Sequence, residues 1–129
     1  MMGYAMPLQT TAGILQRLYA RTFVIAEAGS EGNAYSGRPM CALVIADLCM
    51  IFPNVKEAVL DKLSRSSLCE GGMYTEANLL ICATHTHAGP GAFSPHDLYN
   101  ITTVGFSDVN FECIVDGIVE SVLEASSRG

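Results

Sequence analysis

The chain has 129 residues, half of them hydrophobic and 16% charged, which suits one domain or part of one and excludes intrinsic disorder. Its formal net charge of −6 at pH 7 argues against a nucleic-acid partner, and the basic residues (Arg17, Arg21, Arg38, Lys56, Lys62, Arg65, Arg128) are too scattered to form a polybasic membrane patch. Five cysteines without CxxC spacing exclude a zinc ribbon or a dense disulfide framework.

In chain order, residues 1–18 lack periodicity and read as loop. Arg21 to Ala28 is rich in β-branched and aromatic residues and reads as a strand. Gly29 to Pro39, with three glycines, Ser30 and Asn33, reads as a turn or long hairpin loop. Cys41 to Leu48 is an apolar run of strand length, expected to pair antiparallel with the first. Asn54 precedes Glu57 by three residues, the spacing of a capping box, and Val55, Ala58, Val59 and Leu63 then share one helix face. Ser64 to Ala77 is a polar connection, and Asn78 to Thr84 a third strand. Ser107 is the expected cap of a last helix whose apolar residues, Phe111 to Leu123, recur at spacings of three and four. Glu112, Asp116, Glu120 and Glu124 form its acidic outer face, read as solvated, and Gly117 inside it reads as a site of close packing. Cys41, Cys49, Cys82 and Cys113 lie in apolar runs and read as core; Cys69 lies in a polar loop and reads as exposed.

The order strand, strand, helix, strand, helix implies an α/β unit, with α+β as the alternative: a small mixed sheet with helices packed on one face. No apolar run reaches the roughly 18 residues of a membrane-spanning helix, and the first residues do not read as a signal peptide. Asn100-Ile101-Thr102 is a glycosylation sequon, relevant only in the secretory pathway.

Chemistry concentrates in Ala83-Thr84-His85-Thr86-His87-Ala88-Gly89-Pro90-Gly91, where two of the three histidines follow a strand and precede a Gly-Pro-Gly turn. Were the strand to continue, residues i and i+2 would face one side, so His85 and His87 would share a small volume. Three readings stand at this level. Both imidazoles are structural, both bind one metal, or one binds a metal while the other meets a substrate oxygen. A catalytic zinc ion usually takes three protein ligands. Asp47, His96, Asp97 and Tyr99 are the candidates for a third, with Asp47 foremost because it ends an apolar strand. Positive φ is expected at the glycines of the turn. Ser94, Ser107 and Thr86 are nucleophiles by type only, and no dinucleotide fingerprint or P-loop is present.

These residues resemble the N-terminal domain of the neutral (alkaline, non-lysosomal) ceramidases. The likeness begins at Met1-Met2-Gly3-Tyr4-Ala5 and runs through Thr11-Ala12-Gly13-Ile14, Arg17, Ala20-Arg21 and Phe23-Val24-Ile25. It continues with Asp47-Leu48, Met50-Ile51-Phe52 and Ala83 to Gly91, similar to an ATHTHSGPG signature with Ala88 where serine is usual. Leu98-Tyr99-Asn100, Gly105-Phe106, Phe111 and Ile114 to Ile118 complete it.

The resemblance implies a zinc-dependent amidohydrolase that cleaves the N-acyl bond of ceramide to sphingosine and a fatty acid. It makes His85 a zinc ligand, His87 a catalytic residue beside the reacting amide, and Gly3 a substrate-binding residue at the head-group end. Zinc is the implied cofactor and ceramide the substrate. Peripheral contact with a membrane surface in a full-length protein, and a secreted or plasma-membrane location, are further implications. In the family the zinc site is completed by a distant histidine, a glutamate and a tyrosine, and the nucleophilic serine lies in a motif resembling GDVSPN. These segments do not occur in residues 1–129, which are therefore expected to be part of an N-terminal catalytic domain, truncated at both ends, needing the remainder of a ceramidase chain and inactive alone. Set against that resemblance, Gly29 to Met40 reads as longer than the usual connection of the family. An alternative is a non-catalytic interaction or regulatory module acting through an apolar sheet face, and a weaker one is a complete small hydrolase with Asp47 as third ligand.

Overall fold

The computed structural model describes residues 2, 3, 6, 8, 10–26, 39–69 and 72–127, without the side chains of Pro39 and Met40. Three strands, β1 (Ala20–Ala26), β2 (Pro39–Ala46) and β3 (Leu79–Ala83), form a sheet in the order β1-β2-β3. β1 and β2 run antiparallel with Phe23 opposite Leu43, and β2 and β3 run parallel with Val44 opposite Ile81. Helix α1 (Pro53–Ser64) lies in the crossover from β2 to β3. A four-residue helix, α2 (Asp97–Asn100), and the long α3 (Asp108–Ser127) follow. The α/β unit with a small mixed sheet is as the sequence implies. The expected long Gly29–Met40 connection falls largely outside the described residues.

Alternation along the strands decides which face is covered. Ala42, Val44, Ala46, Leu79 and Ile81 point into one buried cluster with Val55, Val59 and Leu63 of α1 and Val115, Ile118 and Val122 of α3. Each helix supplies these apolar residues at spacings of three and four, the pattern that makes one stripe of a helix face the core. On the opposite face, Phe23, Ile25 and Leu80 are more than half exposed, in register with the partly covered Leu43 and Ile45. The helices thus cover one side only. Among the described residues no helix is long and apolar enough to cross a membrane.

Several local expectations are corrected. Helix α1 starts two residues early: Phe52 is its cap residue and Pro53 occupies its first turn. Proline fits there because its φ is preset and its missing N–H would lack an intrahelical partner anyway. Asn54 does not cap; its side-chain nitrogen donates to the Phe93 carbonyl at 3.0 Å. Ser107 does cap α3, its hydroxyl accepting the Asn110 N–H at 3.3 Å. Two residues of the acidic face are not simply solvated, because Lys62 of α1 pairs with both Glu112 and Asp116 of α3, which raises the lysine pKa.

Cys69 is buried, in a 3-10 turn (Ser67–Cys69) that packs it into the core, and burial pushes its thiol pKa up. Cys113 is exposed because its position on α3 falls outside the buried stripe. A Cβ on Gly117 would meet no atom within 4 Å, so this glycine is not there for close packing. Asn100 of the sequon is buried, its nitrogen donating to the Ser94 carbonyl at 2.8 Å, so that atom is not presented for glycosylation.

Candidate active site

The ends of β2 and β3 lie side by side, because Ala46 pairs with Ala83. The Thr84 N–H still donates to the Ala46 carbonyl at 3.0 Å, and there the ladder stops. His85 then takes a left-handed conformation, φ 63°. That conformation is uncommon for a residue with a Cβ and costs on the order of 1–3 kcal/mol, to be offset by contacts around it. The chain therefore does not continue as a strand from His85 to His87, yet the two side chains still share one small volume. The imidazoles meet edge to face with ring centroids 4.6 Å apart, and their Nε2 atoms are 3.1 Å apart.

The β2 end holds the pair in place. His85 Nδ1 is 2.8 Å from the Cys49 carbonyl oxygen. A carbonyl only accepts, so Nδ1 carries the proton and the Nε2 of a neutral His85 presents a lone pair. Cys49 Sγ is 3.9 Å from the same Nδ1, and burial raises its thiol pKa. The donor atoms of Cys49, His85 and His87 lie within 4.8 Å of one another. Cys49 is buried, His85 exposed and His87 intermediate, so the cluster opens outward from the core.

Gly3 is the third support. Its φ of +122° favours glycine, and a Cβ built there would lie 2.5 Å from His87 Cγ. Nearby backbone fixes this approach: the Met2 N–H donates to the Gly89 carbonyl at 3.4 Å, and a Cβ on Gly91 would meet Thr103 Cγ2 at 2.7 Å and Met2 Cβ at 3.4 Å. Neither Gly89 nor Gly91 has the positive φ expected of them; that geometry falls at His85 and Ala92 instead. Gly3 also borders a cavity of about 250 Å³ lined by Met2, Met50, Leu98, Tyr99 and Thr102. A mainly apolar cleft thus adjoins the imidazole pair.

The other candidates for a third ligand do not join the cluster. Asp47 turns toward β1, where one carboxylate oxygen accepts the Tyr19 N–H at 3.0 Å and the other meets the Arg21 guanidinium at 3.1 Å. Burial raises its pKa, but these bonds, with one from Thr84, outweigh that and leave it below the ordinary carboxylate value. His96 is exposed at the cap of α2, Asp97 is exposed in its first turn, and the Tyr99 ring meets Phe52 at a tilt of 58°, centroids 5.2 Å apart. The hydroxyls are engaged locally: Ser94, buried, accepts the His96 N–H, Thr86 accepts the Ala88 N–H, and Ser107 caps α3.

A family model described as neutral/alkaline non-lysosomal ceramidase, N-terminal, matches residues 1–128.

The chain belongs to the neutral ceramidase family.

The neutral ceramidase of Mycobacterium tuberculosis is 46% identical over 125 residues, and that of Pseudomonas aeruginosa 45% identical over 128 residues. These alignments cover 97% and 99% of this chain and 18% of each relative. The crystal structure of the Pseudomonas aeruginosa enzyme superposes with a TM-score of 0.84 at 44% identity, covering 98% of this chain and 18% of that one. A structure described as ceramidase complexed with C2 superposes equally well. The chain therefore spans less than a fifth of the length of these ceramidases, and its fold is that of a ceramidase region.

Cys49 is the site residue that sequence reasoning missed. It lies in an apolar run and reads there as packing. Its recruitment depends on the turn after Ala46, where the Leu48 N–H donates back to the Ala46 carbonyl at 2.8 Å and brings Cys49 beside His85. No spacing rule signals such a turn.

Proposed function

We propose that this chain supplies one wall of a zinc-dependent ceramidase active site, for hydrolysis of the N-acyl bond of ceramide to sphingosine and a fatty acid. The 3.1 Å approach of the His85 and His87 Nε2 atoms at the sheet edge, in a chain of the ceramidase family, carries this reading. The bare Nε2 of His85 is a donor of the type a zinc ion takes at about 2.0–2.1 Å, so this residue suits such an ion.

A bound zinc ion supplies Lewis-acid polarisation to an amide carbonyl. His85 is the ligand, its free Nε2 lone pair guaranteed by the proton fixed on Nδ1 against the Cys49 carbonyl. His87 is the residue beside the amide. With His85 Nε2 bare, the short contact between the rings requires the proton on His87 Nε2, and this N–H is the group placed to hydrogen-bond a substrate oxygen. Gly3 serves twice, admitting the His87 ring and bordering the cleft that would take part of an amphiphilic substrate. A secretory or plasma-membrane-facing location and contact with a membrane surface accompany this reading.

Ser94, Thr86 and Ser107 are all committed to local hydrogen bonds, so we expect no significant turnover by these 129 residues alone. The test is a chimera in which this chain replaces the corresponding segment of the Pseudomonas aeruginosa ceramidase, assayed with fluorescent ceramide. Hydrolysis abolished by His85→Ala and cut by His87→Ala is expected. An active chimera indifferent to His85→Ala would overturn the reading. Robust hydrolysis by the isolated chain, itself lost in His85→Ala, would overturn the expectation of inactivity.

The exposed face bearing Phe23, Ile25 and Leu80 favours a second reading, an interaction module that associates through its sheet. Light scattering separates the two: a monodisperse monomer with micromolar zinc affinity disfavours it.

A further inference from the structure

We propose that Asn100 is a positioning residue for the cleft beside His87, acting by clamping the short helix α2 to the buried Gly91–Ser94 segment. The inference deepens, and rests on, the reading of that cleft as the place for part of the substrate. Gly91, Ala92, Phe93 and Ser94 are all buried, yet they belong to no helix or strand, and Ala92 is left-handed at φ 64°. Buried carbonyls need partners. Here each of four consecutive ones takes its hydrogen from a different residue. Gly91 is served by the Asn110 side chain of α3 and Ala92 by the Ser107 N–H at 2.7 Å. Phe93 is served by the Asn54 side chain of α1 and Ser94 by the Asn100 side chain of α2.

Asn100 is the most committed of the three asparagines. It is 5% exposed, whereas Asn54 and Asn110 are half-buried. Its Nδ2 donates to the Ser94 carbonyl at 2.8 Å and its Oδ1 accepts the Ser94 N–H at 3.4 Å, the paired exchange that one antiparallel strand offers another. Its own carbonyl accepts the Gly105 N–H at 3.1 Å and the Thr103 hydroxyl at 3.0 Å, which ties the following turn to the same point. A helix of four residues does not hold itself in place. Leu98, Tyr99 and Thr102, on either side of Asn100, line one part of the cleft of about 250 Å³, and Met2, Gly3 and Met50 line the rest. That second part is fixed independently: Gly3 lies against the His87 ring, and Met50 follows the Cys49 carbonyl that holds His85. Releasing Asn100 therefore loosens the cleft wall and leaves the imidazole pair in place.

The experiment uses the ceramidase chimera with fluorescent ceramide. Asn100→Ala should raise KM on the order of tenfold and leave kcat within about threefold, the signature of lost binding without lost chemistry. Val122→Ala, at a core position of α3 that does not line the cleft, should lower the melting temperature and leave KM within about twofold. A KM unmoved by Asn100→Ala, or moved as far by Val122→Ala, makes Asn100 merely structural and overturns the inference. Hydrogen exchange of the wild-type 129-residue chain needs no variant to fold. The Ser94 and Gly105 amides, both donating to Asn100, should exchange on the order of a hundredfold more slowly than in an unstructured peptide; exchange at the free-peptide rate also overturns the inference. An active chimera indifferent to His85→Ala overturns the underlying reading instead.

Discussion

Asp47 lies one residue past β2 and His85 two residues past β3, at the same edge of the sheet, yet they are put to different uses. The carboxylate of Asp47 turns back to β1 and is satisfied by the Tyr19 N–H and the Arg21 guanidinium. His85 leaves its strand through a left-handed residue, and one ring nitrogen is satisfied while the other meets His87. Both are chemistry-bearing residues at the ends of parallel strands, where ligands of α/β folds tend to bind. The difference is in what the scaffold consumes. Asp47 closes the β1–β2 end of the sheet. The histidine edge spends only half of the His85 hydrogen-bonding capacity on structure.

The contrast is broken most severely at His85. His85→Ala should lower zinc affinity on the order of a hundredfold or more, since the proposed ligand and its Cys49 anchor vanish together. Isothermal titration calorimetry measures it. The substitution relieves little of the left-handed strain, because alanine also carries a Cβ, so stability should change by less than about 1 kcal/mol. An unchanged affinity would mean that His85 is as structural as Asp47.

Gly3→Ala comes next. Its new methyl would overlap the His87 ring at 2.5 Å, on backbone that already favours glycine. We expect roughly a tenfold loss of zinc affinity, with a thermal destabilisation of about 1–3 kcal/mol from the forced backbone. A Gly3→Ala chain that melts earlier but binds zinc normally would confine Gly3 to a structural role.

Asp47→Asn sharpens the other side. The ion pair with Arg21 is lost while an amide oxygen remains to accept the Tyr19 N–H, so stability should fall by about 1 kcal/mol or less in urea unfolding. Zinc affinity should stay within about twofold of the wild type, well under the loss attending removal of a ligand. A large loss would restore Asp47 as a metal ligand.

The sequence makes the scaffold legible because alternation and helical periodicity are properties of contiguous residues. The three strands, α1 and α3 can be read from runs such as Cys41 to Leu48 and Phe111 to Leu123. The site is legible only in part. His85 and His87 stand out by type, but their meeting does not come from strand alternation, which ends at Ala83. It comes from the left-handed His85, the glycine against His87 and the carbonyl of Cys49, three features contributed by separate parts of the chain. The misread cysteines divide. Cys69 is buried by a tertiary contact of a polar loop, which local pattern does not name. Cys113 is exposed because it lies about half a helical turn from Val115, Ile118 and Val122, which periodicity does name.

Gly117 carries the smallest expected effect and tests the Asp47 side without touching its carboxylate. It borders a cavity of about 160 Å³ shared with Ala46, Asp47, Pro90 and Cys113, and an added Cβ would touch nothing within 4 Å. Glycine inside a helix costs about 1 kcal/mol relative to alanine. Gly117→Ala should therefore recover up to that amount, raising the melting temperature by about 3–5 °C for a chain of this size. Zinc affinity should not move, because the cavity belongs to the end of the edge that the scaffold has already consumed. A change in affinity would mean that packing between α3 and the Asp47 turn reaches the imidazoles through Leu48 and Cys49. The two strand ends would then be one coupled unit, and the division between structural acid and functional histidines would have to be redrawn.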